Sequence, residues 1–145
     1  MNDIILEYSI TTEISDETLP ELMNSLSDAI EVSESLHLML GECKDSDLSS
    51  TTTLLNYIEN LGFATITVSI LTLVNENASI LLSLGSERIG HPFSGIRLKN
   101  PKERDVYATL VLRHIFSTIP YTSHGQSIFS EELLTMNVLT KVLTR

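Results

Sequence analysis

The run from Gly62 to Lys99, GFATITVSILTLVNENASILLSLGSERIGHPFSGIRLK, limits the folds open to this chain more than any other stretch. Ile66, Val68 and Ile70 alternate with Thr67 and Ser69, the period of two that suits a buried strand. Ala78, Leu81, Leu82 and Gly85 follow at helical spacing, so the pattern predicts a short helix opening at Glu76, with Gly85 as its left-handed stop. A hairpin-like turn around Pro92 and a return strand toward Lys99 complete the unit. Strand, helix and strand in so short a run predict an α/β core.

The flanks extend that pattern. Ile4 to Ile10 reads as a first strand, followed by an acidic turn at Glu13 to Glu17. Thr18-Leu-Pro-Glu21 has the form of a capping box, in which the Thr18 hydroxyl and the Glu21 carboxylate each take one orphan backbone N–H; Pro20 sits in the first turn, where no donor is lost. Leu19, Leu22, Met23, Leu26, Ala29 and Ile30 then make one apolar stripe. Leu36 to Leu40 is the next strand. Asp47 caps a helix that Gly62 ends, with Leu48, Leu55, Ile58 and Leu61 inward. Its hydroxyl-rich first turns are poor helix formers, so packing must hold them. A later helix opens within Asn100–Asp105, carries Ala108, Val111, Leu112, Ile115 and Ile119 on one face, and is expected to run to Pro120.

The chain of 145 residues is long enough for one domain with a real core. No run approaches the roughly 20 apolar residues that span a bilayer. The acidic N-terminal segment does not read as a signal peptide, so cytoplasmic location is expected. Nine basic against nineteen acidic residues give a formal charge of −10, which disfavours nucleic acid as a partner. The single cysteine, Cys43, excludes an intrachain disulfide or a multi-cysteine metal site, and His91, His114 and His124 show no metal-ligand spacing. No cofactor is expected. Cys43 beside Lys44 offers a lowered thiol pKa, against the plainer reading of a buried, inert thiol. Glu42, Asp45 and Asp47 lack the spacing of a calcium loop and read as a solvated acidic turn.

Several short words, in order, resemble the Clp-type serine proteases of the ClpP/crotonase fold. Ile14-Ser15-Asp16 is similar to the I-x-D before that family's first helix. ASILLSLG from Ala78 to Gly85, then Arg88, then Pro92-Phe93-Ser94, resemble its catalytic helix, the Arg after it and its P-N-S turn. His124-Gly125-Gln126-Ser127 resembles T-G-Q-S, and Phe129 to Val142 resembles the family's C-terminal ending. The resemblance implies a single-domain spiral of ββα units. It also places Glu76 at the nucleophile, Lys99 at the general base, Lys44 and Asp45 at the Gly-Gly oxyanion hole, and a gap at the third catalytic residue. A carboxylate cannot replace the serine hydroxyl, and a charged lysine cannot accept its proton.

The reading that follows is a catalytically inactive Clp-protease-like subunit, forming homo-oligomers or hetero-oligomers with Clp-type subunits. Two others stay open. One is a serine peptidase with a rearranged site using Ser79 or Ser83, residues that otherwise read as small helix-packing positions. The other is a crotonase-like acyl-CoA enzyme with Glu76 as acid/base, although it lacks the glycine-rich turn. For Glu76 and Lys99 themselves, an ion pair in place of a Ser–His bond stands against both pointing to solvent.

Overall fold

The computed structural model describes residues 4–121 and 126–144. His124 and Gly125, half of the T-G-Q-S-like word, lie outside them.

Strands β1 (Ile5–Ile10), β2 (Ser35–Leu40) and β3 (Thr65–Ile70) pair in parallel, each separated from the next by a helix, α1 (Leu19–Val32) and α2 (Leu48–Leu61). Leu36, Leu38 and Leu40 are almost fully buried, while Ser35, His37 and Met39 on the other face are half-buried. That alternation fixes the register, because a slip of one residue would exchange the two faces. On α1, Leu22, Leu26 and Ala29 are the buried part of the expected stripe; on α2, Leu55 and Ile58 are buried as expected, Leu48 and Leu61 only half so, and Leu54, outside the expected face, is fully buried.

The caps were only half legible. Asp47 accepts from Ser50 N at 2.6 Å and Gly62 takes φ 80, as the sequence predicts. The Thr18–Glu21 box does not form. Thr18 is already helical at φ −89 and ψ −20, and its hydroxyl donates to Glu13 O at 2.8 Å, tying down the acidic turn. The hydroxyls of Thr51, Thr52 and Thr53 donate back to carbonyls four residues earlier. Ser50 on α2 donates to Asp16 in the turn before α1, so the poor helix formers are satisfied locally and pinned by a tertiary contact.

After β3 the chain leaves the sheet for β4 (Leu73–Asn75), then a 3-10 helix over Ala78–Leu84, then returns as β5 (Glu87–Gly90). Gly85 is not the left-handed stop expected of it; its φ is −83 and ψ 129. Glycine is needed there because a Cβ would stand 2.6 Å from Glu87 O. The expected hairpin at Pro92 is instead a crossing between sheets. β5 belongs to a five-stranded sheet that ends on the C-terminal strand β8 (Lys141–Val142), of order β1-β2-β3-β5-β8, and β6 (Gly95–Arg97) lies between β4 and β7 (Ser127–Phe129) in a three-stranded sheet. Phe93, at φ 65, makes the bend.

The helix foreseen from Asn100 to Pro120 is broken at both ends. Pro101–Glu103 is one 3-10 turn, Arg104 is extended, and α3 runs only over Val106–Ile115 with Asp105 capping Ala108 N at 2.6 Å. Phe116 departs from helical geometry at φ −133, so the stop comes before Pro120. Leu112 and Ile119 are buried, whereas Val106, Tyr107 and Leu110 on α3 are exposed. The C-terminal part supplies β7 (Ser127–Phe129), α4 (Ser130–Thr135) and β8 (Lys141–Val142). Between the last two, Asn137 takes φ 62, one of the few non-glycine residues that tolerate it.

Candidate functional site

Two crossing points of the fold build the site. The first is the turn after β2, where Gly41 to Asp47 leads into α2. The second is the junction of β4 with the 3-10 helix, facing the chain that leaves β6. Asn75 makes this junction: its Oδ1 accepts from Asn77 N and Ala78 N, at 2.8 and 3.2 Å, and so turns the chain at Glu76.

Glu76 is completely buried. Its partner is Arg104, 28 residues on, and not the Lys99 side chain that the sequence suggested. Arg104 Nε donates to Glu76 Oε2 at 2.8 Å, and a terminal nitrogen of the same guanidinium donates to Oε1, a bidentate pair. Lys99 contributes main chain only: its N–H donates to Glu76 Oε1 at 3.2 Å, and its carbonyl accepts from Arg104 at 3.0 Å. The remaining guanidinium nitrogen donates to Tyr121 O, and the guanidinium lies 5.6 Å from the Tyr121 ring centroid. Neither expectation for the pair therefore holds. The physical reason is the extended backbone at Arg104, which lets its side chain turn inward. A guanidinium also fits a carboxylate with two parallel bonds, which an ammonium cannot do.

Tyr121 is buried with it, and its hydroxyl has no partner among the described residues. Burial pushes its pKa up, the Glu76 carboxylate adds to the shift, and Arg104 opposes it.

Ser79 is 1% exposed and donates to Glu76 O at 2.5 Å; Ser83 is exposed and donates to Ile80 O at 2.8 Å. Both act as local helix hydroxyls, and neither bonds to a histidine among the described residues. The Ser–His contact that does exist was missed in the sequence. His37 Nε2 lies 2.6 Å from Ser69 Oγ, and His37 Nδ1 lies 3.9 Å from Glu7 Oε2, across three adjacent strands. Its composition matches a triad, but Ser69 is wholly buried, so its hydroxyl cannot meet a substrate. Only strand pairing brings the three together, and no sequence spacing signals it.

Lys44 and Asp45 form an exposed turn closed by Ser46 N donating to Cys43 O at 3.2 Å. Cys43 and Asp45 hold φ 50 and 63, left-handed values at a place where the family resemblance has glycine-rich chain. Cys43 itself is inert. It is fully buried, burial pushes its thiol pKa up to about 12, and its Sγ contacts Ile10 O at 3.2 Å. The expectation of a solvated acidic turn fits Glu42, Asp45 and Asp47, all exposed, and no cluster of three metal-ligating side chains occurs among the described residues.

Between the turn after β2 and the chain leaving β6 opens a cavity of about 530 Å³, whose walls include Glu42, Lys44, Asp45, Arg97, Lys99 and Glu103. A second cavity of about 840 Å³, more apolar, lies away from this group beside Phe93, Phe129 and Leu134.

No protein-family model matches the chain, and no curated protein does. Solved structures do. The ClpP protease catalytic domain from Plasmodium falciparum superposes with a TM-score of 0.78 at 18% identity, over 96% of this chain and 85% of that one. The fold is ClpP-like. The α/β spiral expected from the sequence is thus observed, and at this identity the likeness speaks for the fold alone. No helix among the described residues is long and apolar enough to cross a membrane.

Proposed function

We propose that this chain is a catalytically inactive ClpP-like protein that serves as an oligomerising or partner-binding subunit, with other Clp-type subunits as candidate partners. The observation that carries the reading is the Glu76–Arg104 pair. It fills the place where the resemblance puts a nucleophile, with a carboxylate whose two oxygens are both occupied and whose surface is closed to solvent. Acyl transfer needs an exposed nucleophile within reach of a base, and among the described residues neither Ser79 nor Ser83 has a histidine partner. The same geometry weighs against a crotonase-like reaction, because a carboxylate locked by a guanidinium and a backbone N–H is not free to move a substrate proton. The exposed Val106, Tyr107 and Leu110 on α3 support a subunit role, since apolar side chains gathered on one short helix mark contact surfaces.

The test pairs native mass spectrometry with fluorophosphonate labelling of the purified protein. The expected result is a discrete multimeric mass, alone or with a Clp-type subunit, and no label. Label on Ser79, Ser83 or Ser69 would overturn inactivity. A monomer under all conditions, with no Clp-type subunit bound, would overturn the subunit role.

A further inference from the structure

Away from the Glu76–Arg104 pair, the second cavity, of about 840 Å³, lies between the bend after β5, the first turn of α4 and the end of β8. Its wall is mostly apolar, with Phe93, Phe129, Leu134 and Leu143 as large side chains. Three of these stand in solvent: Phe93 is 72% exposed, Phe129 49% and Leu134 39%. An aromatic residue at positive φ is a backbone outlier, and Phe93 holds φ 65. The bend around it is tied down. The Ser94 hydroxyl donates to His91 O at 2.7 Å, and Ser130 donates to Ser94 O through both its N–H and its hydroxyl, each at 2.9 Å. Such strain persists only where the surroundings enforce it, and ligand clamps are among the places where it gathers. Glu131 and Glu132 line the same space, and neither is in an ion pair among the described residues. No lysine or arginine among the described residues lines it, and His91 is its one basic side chain.

From these observations we infer that the cavity binds a small organic cation with an apolar body, of the arylalkylammonium class. Its size and lining are those of a small-molecule site, with apolar walls and a few charged groups. The two carboxylates decide the sign of the ligand. An anion meets like charge, and a neutral apolar ligand takes water from two unpaired carboxylates and returns nothing. A bare inorganic cation leaves the apolar wall uncovered. An ammonium on an apolar stem answers both. Its charge pairs with Glu131 and Glu132 and is attracted to the ring faces of Phe93 and Phe129, while its stem covers Leu134 and Leu143. The inference does not depend on the proposed function.

The test is calorimetric titration of the full chain with phenylbutylammonium, beside phenylbutanol, phenylbutyrate and methylammonium, which lack in turn the charge, its sign and the apolar body. Salt is kept at about 0.15 M, where screening over roughly 8 Å suppresses the general pull of a −10 chain on any cation. Phenylbutylammonium is expected to bind about tenfold tighter than each of the other three. Phe93→Gly should weaken it about tenfold, and so should Glu131→Gln with Glu132→Gln. Glycine takes φ 65 without strain, so Phe93→Gly keeps the fold and decides the matter if circular dichroism shows the paired variant unfolded. Glu21→Gln with Asp28→Gln, which neutralises two exposed acids on α1, should leave binding unchanged. No saturable binding up to millimolar ligand, equal binding of any of the three comparison compounds, unchanged binding to Phe93→Gly, or an equal loss in the α1 variant would each overturn the inference. So would a multimer in native mass spectrometry that Phe93→Gly breaks into monomers, because a second copy of the chain would then be what covers the cavity.

Discussion

Replacing Glu76 by Ala tests the buried pair most directly. The substitution leaves a guanidinium, 2% exposed, without its counter-charge. Three hydrogen bonds go with it, two from Arg104 and one from Lys99 N–H. Removing one partner of a buried ion pair costs about 3–5 kcal/mol. Arg104 keeps the carbonyls of Lys99 and Tyr121 as acceptors, which places the loss in the lower half of that range. A chain of this size has a total stability of about 7–15 kcal/mol, so the variant still folds. With a urea slope of about 2 kcal/mol per M, the midpoint should fall by about 1.5–2 M. The assay is urea unfolding followed by far-ultraviolet circular dichroism. Glu76→Met with Arg104→Met should recover most of the loss, because two apolar side chains of similar volume leave no charge stranded. Lys99→Ala should cost under about 1 kcal/mol, since only the main chain of Lys99 takes part. A loss below about 1 kcal/mol for Glu76→Ala, or an equal loss for Lys99→Ala, would refute the reasoning.

Tyr121→Phe removes a buried hydroxyl that has no partner among the described residues, so stability should hold or rise by up to about 1 kcal/mol, read as an unchanged or higher melting temperature. The Cys43 thiol, held up to about 12 from an ordinary 9.0, favours folding fully below pH 9 and loses that contribution as pH rises toward 12; over that window the unfolded state gives up the proton first. Each pH unit above 9 should then lower stability by up to about 1.4 kcal/mol. Cys43→Ala should flatten that part of the slope in urea melts at pH 8 to 11. Arg88 donates to the carbonyls of Gly85, Asn137 and Val138 at 3.0, 3.1 and 2.6 Å, clamping the α4–β8 turn to the end of the 3-10 helix. Arg88→Ala should cost about 2–3 kcal/mol and speed amide exchange over residues 137–142, and Arg88→Lys should restore only part of it.

What the sequence made legible was whatever depends on neighbours in the chain. Ile66, Val68 and Ile70 announced β3 by their period, and Asp47 and Gly62 marked both ends of α2, because strand alternation and caps are set within a few residues. Two local signals failed although the groups that override them lie only a few residues away, because composition does not show how the backbone there turns. Thr18 has the chemistry of a cap, but its own backbone is already helical, and its hydroxyl accepts from Ser15 N and donates to Glu13 O in the preceding turn. Gly85 has the composition of a left-handed stop, but the approach of the Glu87 carbonyl dictates its absent side chain.

The site shows the same division more sharply. Glu76 was singled out because the register of a local word, Ala78 to Gly85, placed it at the head of a helix. Its partner could not be read that way. Lys99 lies nearer in sequence and carries the right charge, yet its side chain makes no bond to Glu76. Arg104 lies inside what looked like continuous helix, and a helical Arg104 would have extended the α3 face. Only the break at Arg104, φ −108 and ψ 127, turns its guanidinium to the core. Burial then selects arginine over lysine. Glu76 leaves solvent entirely, both carboxylate oxygens need donors, and one planar group meets both while also binding Lys99 O and Tyr121 O. The charge of Glu76 and the break before α3 therefore depend on each other. If Arg104→Lys leaves the chain as stable as the native protein, that dependence is wrong, and the break has another cause.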